Sequence, residues 1–217
     1  MKIEKSGLSV LGHSWILITV MLLLSLILAL TSGAQSSSRP SIRDVDFRNF
    51  TYSKLPTGKC SRMSRVRVRD GKYGSLKHFS PRVVPRGGCW QVSVGPIVYG
   101  DVTGDGREEA IVVLYAEMGG TEGSNDVFVY ALKRNRPELL WKFATGDRAE
   151  GGLLKTYALE GKLVVELAGQ DRFIGGKLYG GDCTGACRPP FFTRATYEWM
   201  GSAFRRRGLE NLPFTGW

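Results

Sequence analysis

Asp101, Asp105 and Glu109 recur every four residues, with Thr103 and Arg107 between them, in the run Asp101-Val-Thr-Gly-Asp-Gly-Arg-Glu-Glu109. Oxygen-bearing residues at alternate positions around a glycine suit the coordination of a hard divalent cation. In calcium loops of Asp-x-Asp-x-Asp-Gly spacing, positions one, three and five offer side-chain oxygens, position seven a backbone carbonyl and position nine a further side chain. That spacing assigns the roles to Asp101, Thr103, Asp105, the carbonyl of Arg107 and Glu109, with Gly106 at the bend. Thr103 offers only a neutral hydroxyl and Arg107 a charge of the wrong sign, so weak calcium affinity is expected. The same residues admit a second reading, in which Asp side chains cap their own backbone in a Gly-Asp-Gly turn and no metal is needed. An EF-hand is excluded, because position twelve is Val112 and not the required Glu.

Elements that could position this turn follow a period of two. The apolar run Ala110-Ile-Val-Val-Leu-Tyr115 leaves the turn directly; Ser64-Arg-Val-Arg-Val-Arg69 alternates strictly; Trp90, Val92 and Val94 share a face opposite Gln91 and Ser93. Asp126–Leu132, Leu139–Phe143, Leu153–Ala158, Lys162–Ala168, Thr193–Trp199 and Ala203–Arg207 continue the series, separated by turn residues such as Glu160-Gly161 and Met200-Gly201-Ser202. No window reads as an amphipathic helix of ten residues, so the 28 glycines belong to turns. Met118–Asp126 lacks the Gly-Lys-Ser/Thr of a phosphate loop and reads as a hairpin connection. The expected fold is mainly β, a single antiparallel sandwich, meander or barrel-like domain.

Lys2 and Lys5, the apolar stretch Trp15–Leu30 and the small residues Thr31-Ser-Gly-Ala34 have the layout of an export signal. The apolar stretch's length of 16 residues leaves two readings open, cleavage after Ala34 or a retained membrane anchor. Removal of residues 1–34 from the 217 leaves 183, the size of one domain. The expected organisation is a signal or anchor over 1–34, a Ser-rich flexible linker over 35–43 and a β domain over 44–217. Cys60, Cys89, Cys183 and Cys187 all fall in the exported part, where disulfides are favoured. Of the three pairings, Cys60 with Cys89 and Cys183 with Cys187 is preferred, because the second pair lies in a Gly-rich loop that can bend back. Zinc lacks ligands, since His78 is the single histidine after residue 34.

Positive charge is concentrated. Residues 59–86 hold nine Lys or Arg against Asp70 alone. In a strand, Arg65, Arg67 and Arg69 project from one face while Val66 and Val68 enter the core. Such a comb suits an anionic membrane surface or an envelope polysaccharide, and equally suits a solvated strand that resists aggregation. Arg205–Arg207 form a smaller cluster with the same two readings. Export argues against nucleic acid as a partner.

Catalytic patterns are sparse. His78 has no Gly-x-Ser-x-Gly turn to serve. Carboxylate pairs for glycan or ester hydrolysis are available among Asp147, Glu150, Glu166 and Asp171, and Asp147 with Glu150 is the enzymatic alternative. Tyr157, Phe191, Tyr197 and Trp199 read as core residues at strand spacing, with sugar stacking as the other reading. Asn49-Phe-Thr51 matches a glycosylation acceptor by pattern only.

Residues Tyr99–Leu114 resemble the Asp-x-Asn-Gly-Asp-Gly-x-x-Asp loop of FG-GAP or VCBS-type repeats, the integrin-alpha-like modules of extracellular proteins. The departures are Thr103, where Asp or Asn is usual, and the single copy of the loop. Length excludes a seven-bladed propeller, since about three repeats of 40 to 50 residues would fit. The wider block Tyr99–Ala168, including Trp141–Leu153, together with Gly185–Arg194 and Tyr197–Phe204, is similar to small exported bacterial proteins of unassigned function, which implies an exported bacterial β protein and carries no catalytic residue across. The expected function is therefore a non-catalytic binding or structural module of the bacterial envelope, with calcium as a candidate stabiliser and a polysaccharide, an anionic membrane or another protein as partner. It would be periplasmic, secreted or membrane-anchored. A small secreted hydrolase is the alternative.

Overall fold

A computed structural model describes residues 40–53, 55–56, 64–74, 89–119, 122–146, 152–169 and 191–213. Two short 3-10 turns, Ile42–Asp44 and Phe47–Asn49, precede eleven strands: β1 (Thr51–Ser53), β2 (Arg65–Arg67), β3 (Lys72–Gly74), β4 (Gln91–Gly100), β5 (Glu109–Gly119), β6 (Glu122–Lys133), β7 (Arg136–Ala144), β8 (Leu153–Leu159), β9 (Lys162–Ala168), β10 (Phe191–Trp199) and β11 (Phe204–Pro213). No α-helix occurs among the described residues, and none of these is in a helix long and apolar enough to cross a membrane. The protein is mainly β, as the period-two pattern requires. All strand pairs are antiparallel, in a ribbon β1-β2, a five-stranded meander β3-β4-β5-β6-β7 and a four-stranded meander β8-β9-β10-β11.

The five-stranded sheet is apolar on both faces, and its sequence says why. Ala110, Val112, Leu114 and Ala116 of β5, with Phe128, Tyr130 and Leu132 of β6, join one cluster together with Ile42, Phe47, Tyr52, Val66 and Val68. The alternate residues Ile111, Val113, Val127 and Val129 join a second cluster with Leu163, Val165, Leu167, Ala195 and Tyr197 of the four-stranded sheet. A strand covered on both sides reads as an unbroken apolar run and not as an alternation. The sheet thus lies between an N-terminal layer and the four-stranded sheet.

The N-terminal layer is built from local caps. Ser41 accepts from the Arg43 amide while Asp44 returns a bond to the Ser41 amide, a capping box. Asp46 accepts from the amides of Arg48 and Asn49 and from the Asn49 side chain, and those hydrogen bonds, the Asn49 side chain first, hold its carboxyl below the usual range. These turns aim Ile42, Phe47 and Phe50 at β6, where Phe50 lies 5.4 Å from Tyr130 and Tyr52 lies 5.4 Å from Phe128, ring to ring. Burial of each such ring contributes on the order of 2–3 kcal/mol. Tyr52 donates its hydroxyl to the Phe47 carbonyl at 2.6 Å. Folded structure begins earlier than the linker expected over 35–43 allows: Ile42 is 2% exposed and Arg43 is engaged in an ion pair.

On the other side, β4 runs beside β8. A Cβ on Gly100 would lie 2.5 Å from the Ala158 Cβ, so this edge closes only because glycine has no side chain. At the far edge Trp141 of β7 fills the gap, 5.0 Å from Tyr197 and 5.3 Å from Phe204. The four-stranded sheet carries a row alternating in sign across all its strands: Lys155 opposite Glu166, Glu166 opposite Arg194, Arg194 opposite Glu210. Opposed unlike charges stabilise that register.

A further expectation changes. Met118–Asp126 is largely strand, since β5 runs to Gly119 and β6 starts at Glu122, with Gly123 opposite Glu117. The glycines sit within the ladder. The short strands β1 and β3 carried too few residues to show a period. Cys89 is buried and disulfide-bonded. Cys60, Cys183 and Cys187 lie outside the described residues, as do the signal segment, His78, Asp147, Glu150 and Asp171.

Candidate functional site

The acidic turn sits between β4 and β5. Asp101 braces it: Oδ1 accepts from the amides of Thr103 (3.1 Å) and Gly104 (2.6 Å), and Oδ2 accepts from Gly106 (2.9 Å). Asp105 Oδ1 accepts from the Arg107 amide at 2.9 Å. Gly104 and Gly106 have φ of +76° and +80°, a left-handed backbone that residues with a side chain adopt at a cost. Gly106 is therefore at the bend, where the spacing put it.

Glu109 closes the turn from below. It is 2% exposed and its Oε2 accepts from the Val102 amide at 3.0 Å. Burial, followed by the charges of Asp105 and Asp101, pushes its carboxyl up to about 7 against the amides of Val102 and Thr103. Val102 itself is fully buried in the cluster between the two sheets. Thr103 Oγ1 is shielded from solvent and has no hydrogen-bond partner.

Neighbouring elements hold the turn in place. Arg43 donates two bonds to Glu108, Nε to Oε2 at 2.6 Å and Nη2 to Oε1 at 2.7 Å, and its guanidinium lies 4.7 Å from the centre of the Tyr99 ring. The ion pair holds the exposed Glu108 carboxyl below its ordinary value. Arg107 turns out of the loop and donates to the Leu132 carbonyl at 2.8 Å, so its charge does not face the acidic oxygens. A Cβ on Gly161 would meet the Gly104 Cα at 3.0 Å, so the turn touches the β8–β9 turn backbone to backbone. Five of these residues follow from the spacing of the turn, and Glu108 does not. The pair Glu108-Glu109 was the available signal, because adjacent strand residues face opposite sides.

A cation would need these carboxylates to converge. Asp101, Asp105 and Glu109 are each engaged with backbone amides, and no three His, Cys, Asp or Glu side chains among the described residues are placed to share a metal ion. In this arrangement the acidic residues brace a turn.

The second candidate is the basic ribbon. Arg65, Arg67 and Arg69 are exposed, whereas Val66 and Val68 are 0% exposed between them. Arg67 donates to the Thr51 hydroxyl at 3.2 Å across the ribbon. A shallow cleft of about 300 Å³ is lined by Arg43, Asp46, Arg48, Ile97 and Tyr99 among others.

Of the carboxylates considered for hydrolysis, only Glu166 falls among the described residues. Glu166 lies on β9, where its Oε1 accepts from Tyr157 (3.0 Å) and from Arg194 Nε (2.9 Å). No family model, curated protein or solved structure matches this chain.

Proposed function

We propose that this chain is a non-catalytic exported β module of the bacterial envelope that holds an anionic partner through its basic N-terminal ribbon. The observation that carries the reading is the exposure of Arg65, Arg67 and Arg69 around the fully buried Val66 and Val68. The valines fix the ribbon on the core, so the guanidinium groups are presented in a set direction. The likeness of Tyr99–Leu114 to repeats of extracellular proteins agrees with it. The turn 101–109 serves this function as a brace, joining the N-terminal layer through Arg43 to the sheets. The bracing is supplied by the amides that Asp101, Asp105 and Glu109 accept.

Retention of the full chain on an immobilised anionic polymer tests the reading. Retention should weaken steeply with salt, since exposed charges are screened within about 8 Å at physiological ionic strength. It should be lost when Arg65, Arg67 and Arg69 are all changed to Gln. Equal retention of the triple variant would overturn the proposal.

A further inference from the structure

The partner can be named more closely, on the footing of the reading above. We infer that the anionic surface is the lipid headgroup layer of the membrane that receives the chain's own N-terminal segment.

Charge and connectivity point the same way. Residues 40–90 hold twelve Lys or Arg against three Asp, whereas residues 91–217 hold fifteen against sixteen acids. The excess positive charge therefore belongs almost wholly to residues 40–90, where Arg43, Arg48, Arg65, Arg67, Arg69 and Lys72 are among the described residues. The chain enters the body in that same layer: Pro40 leads directly into the first 3-10 turn, and Ile42 and Phe47 share a cluster with Val66 and Val68. The four-stranded sheet, with its alternating charges, lies across the central sheet from this cluster.

Reach then selects the partner. Nine residues, 31–39, separate the apolar stretch Trp15–Leu30 from Pro40. Fully extended they span at most about 32 Å. With the apolar stretch retained as an anchor and not cleaved after Ala34, a body on so short a leash meets the headgroups at high effective concentration. A free polysaccharide or soluble protein gains nothing from the leash. One hydrophobic segment plus a basic patch is the two-signal arrangement that makes membrane attachment stable. Anionic leaflets attract basic residues close to the headgroups, so charge would hold the comb there once the leash has brought the body near.

The full chain, N-terminal segment included, is reconstituted in vesicles of phosphatidylcholine alone or with phosphatidylglycerol, and arginines are modified with phenylglyoxal and located by peptide mass spectrometry. Modification of Arg65 and Arg67 should slow about fivefold in the anionic vesicles, while Arg205, exposed on β11, keeps its rate. High salt should restore the faster rate. A third arm adds soluble polyphosphate to the neutral vesicles. Slowing at Arg65 and Arg67 there, and not with anionic lipid, would overturn the lipid assignment while leaving the anion-binding function standing. Unchanged rates in all arms would overturn both.

Discussion

The acidic turn at 101–109 and the basic ribbon at 65–69 are both short runs of closely spaced charge, yet they spend it in opposite directions. Asp101, Asp105 and Glu109 turn inward and accept backbone amides, and Glu109 is 2% exposed. Arg65, Arg67 and Arg69 turn outward on a ribbon whose valines are wholly buried. The difference follows from local geometry. Glycines with positive φ fold the turn back over its own carboxylates, whereas an extended ribbon sends alternate side chains to opposite faces. Charge folded back on the main chain stabilises the fold; charge held out on a rigid base is free to act on something else.

That contrast predicts a graded set of effects. Asp101→Ala strips the acceptor from three amides and should lower stability by about 4 kcal/mol, or the melting midpoint by about 10 °C. A midpoint within a degree or two of the parent would show that the turn is not braced by its own carboxylate. Glu109 comes next. Below the ordinary carboxyl value of 4.5 it is protonated whether folded or unfolded; between there and about 7 only the unfolded chain releases the proton. Stability should therefore fall as pH rises through this window, by about 3 kcal/mol, and level off above it. Glu109→Gln, which keeps an acceptor for the Val102 amide, should flatten that slope in urea titrations at several pH values. Adding calcium sharpens the test. If the turn were a cation cage, millimolar calcium would raise the midpoint and Glu109→Gln would abolish the rise.

Smaller effects follow. Gly100→Ala places a methyl against Ala158 and should cost about 2 kcal/mol, with Ala158→Gly in the same chain restoring most of it. Additivity of the two changes would mean that β4 and β8 do not meet there. Arg43→Gln removes an exposed ion pair and should cost about 0.5 kcal/mol. The triple Arg-to-Gln change in the ribbon should leave the midpoint within about a degree while abolishing polymer retention, the reverse of Asp101→Ala.

Much of the architecture was legible because period two survives in a chain built of sheets. Lys162–Ala168 reads as a strand and is one, and Val66 and Val68 are buried where alternation placed them. The strands covered on both faces were legible too, as apolar runs. Glycine hid part of β5 and β6, since Gly119 and Gly123 look like turn residues and are instead paired in a ladder. The direction of each carboxylate in the turn was not legible. Spacing states which oxygens are near one another, and only the backbone's return at Gly104 and Gly106 decides whether they meet an ion or an amide. Nor could sequence show that Arg43 and Glu108, 65 positions apart, would join.

Two contacts of different thickness join the two large sheets. Gly100 against Ala158 acts as a fulcrum at one edge, and the indole of Trp141 acts as a shim at the other. The sheets thus meet with almost no side-chain thickness at one contact and across packed rings at the other. Thinning the shim would let the outer rims of the sheets swing together about β4 and β8, and the turn at 101–109, seated beside that pivot, would be displaced least of all.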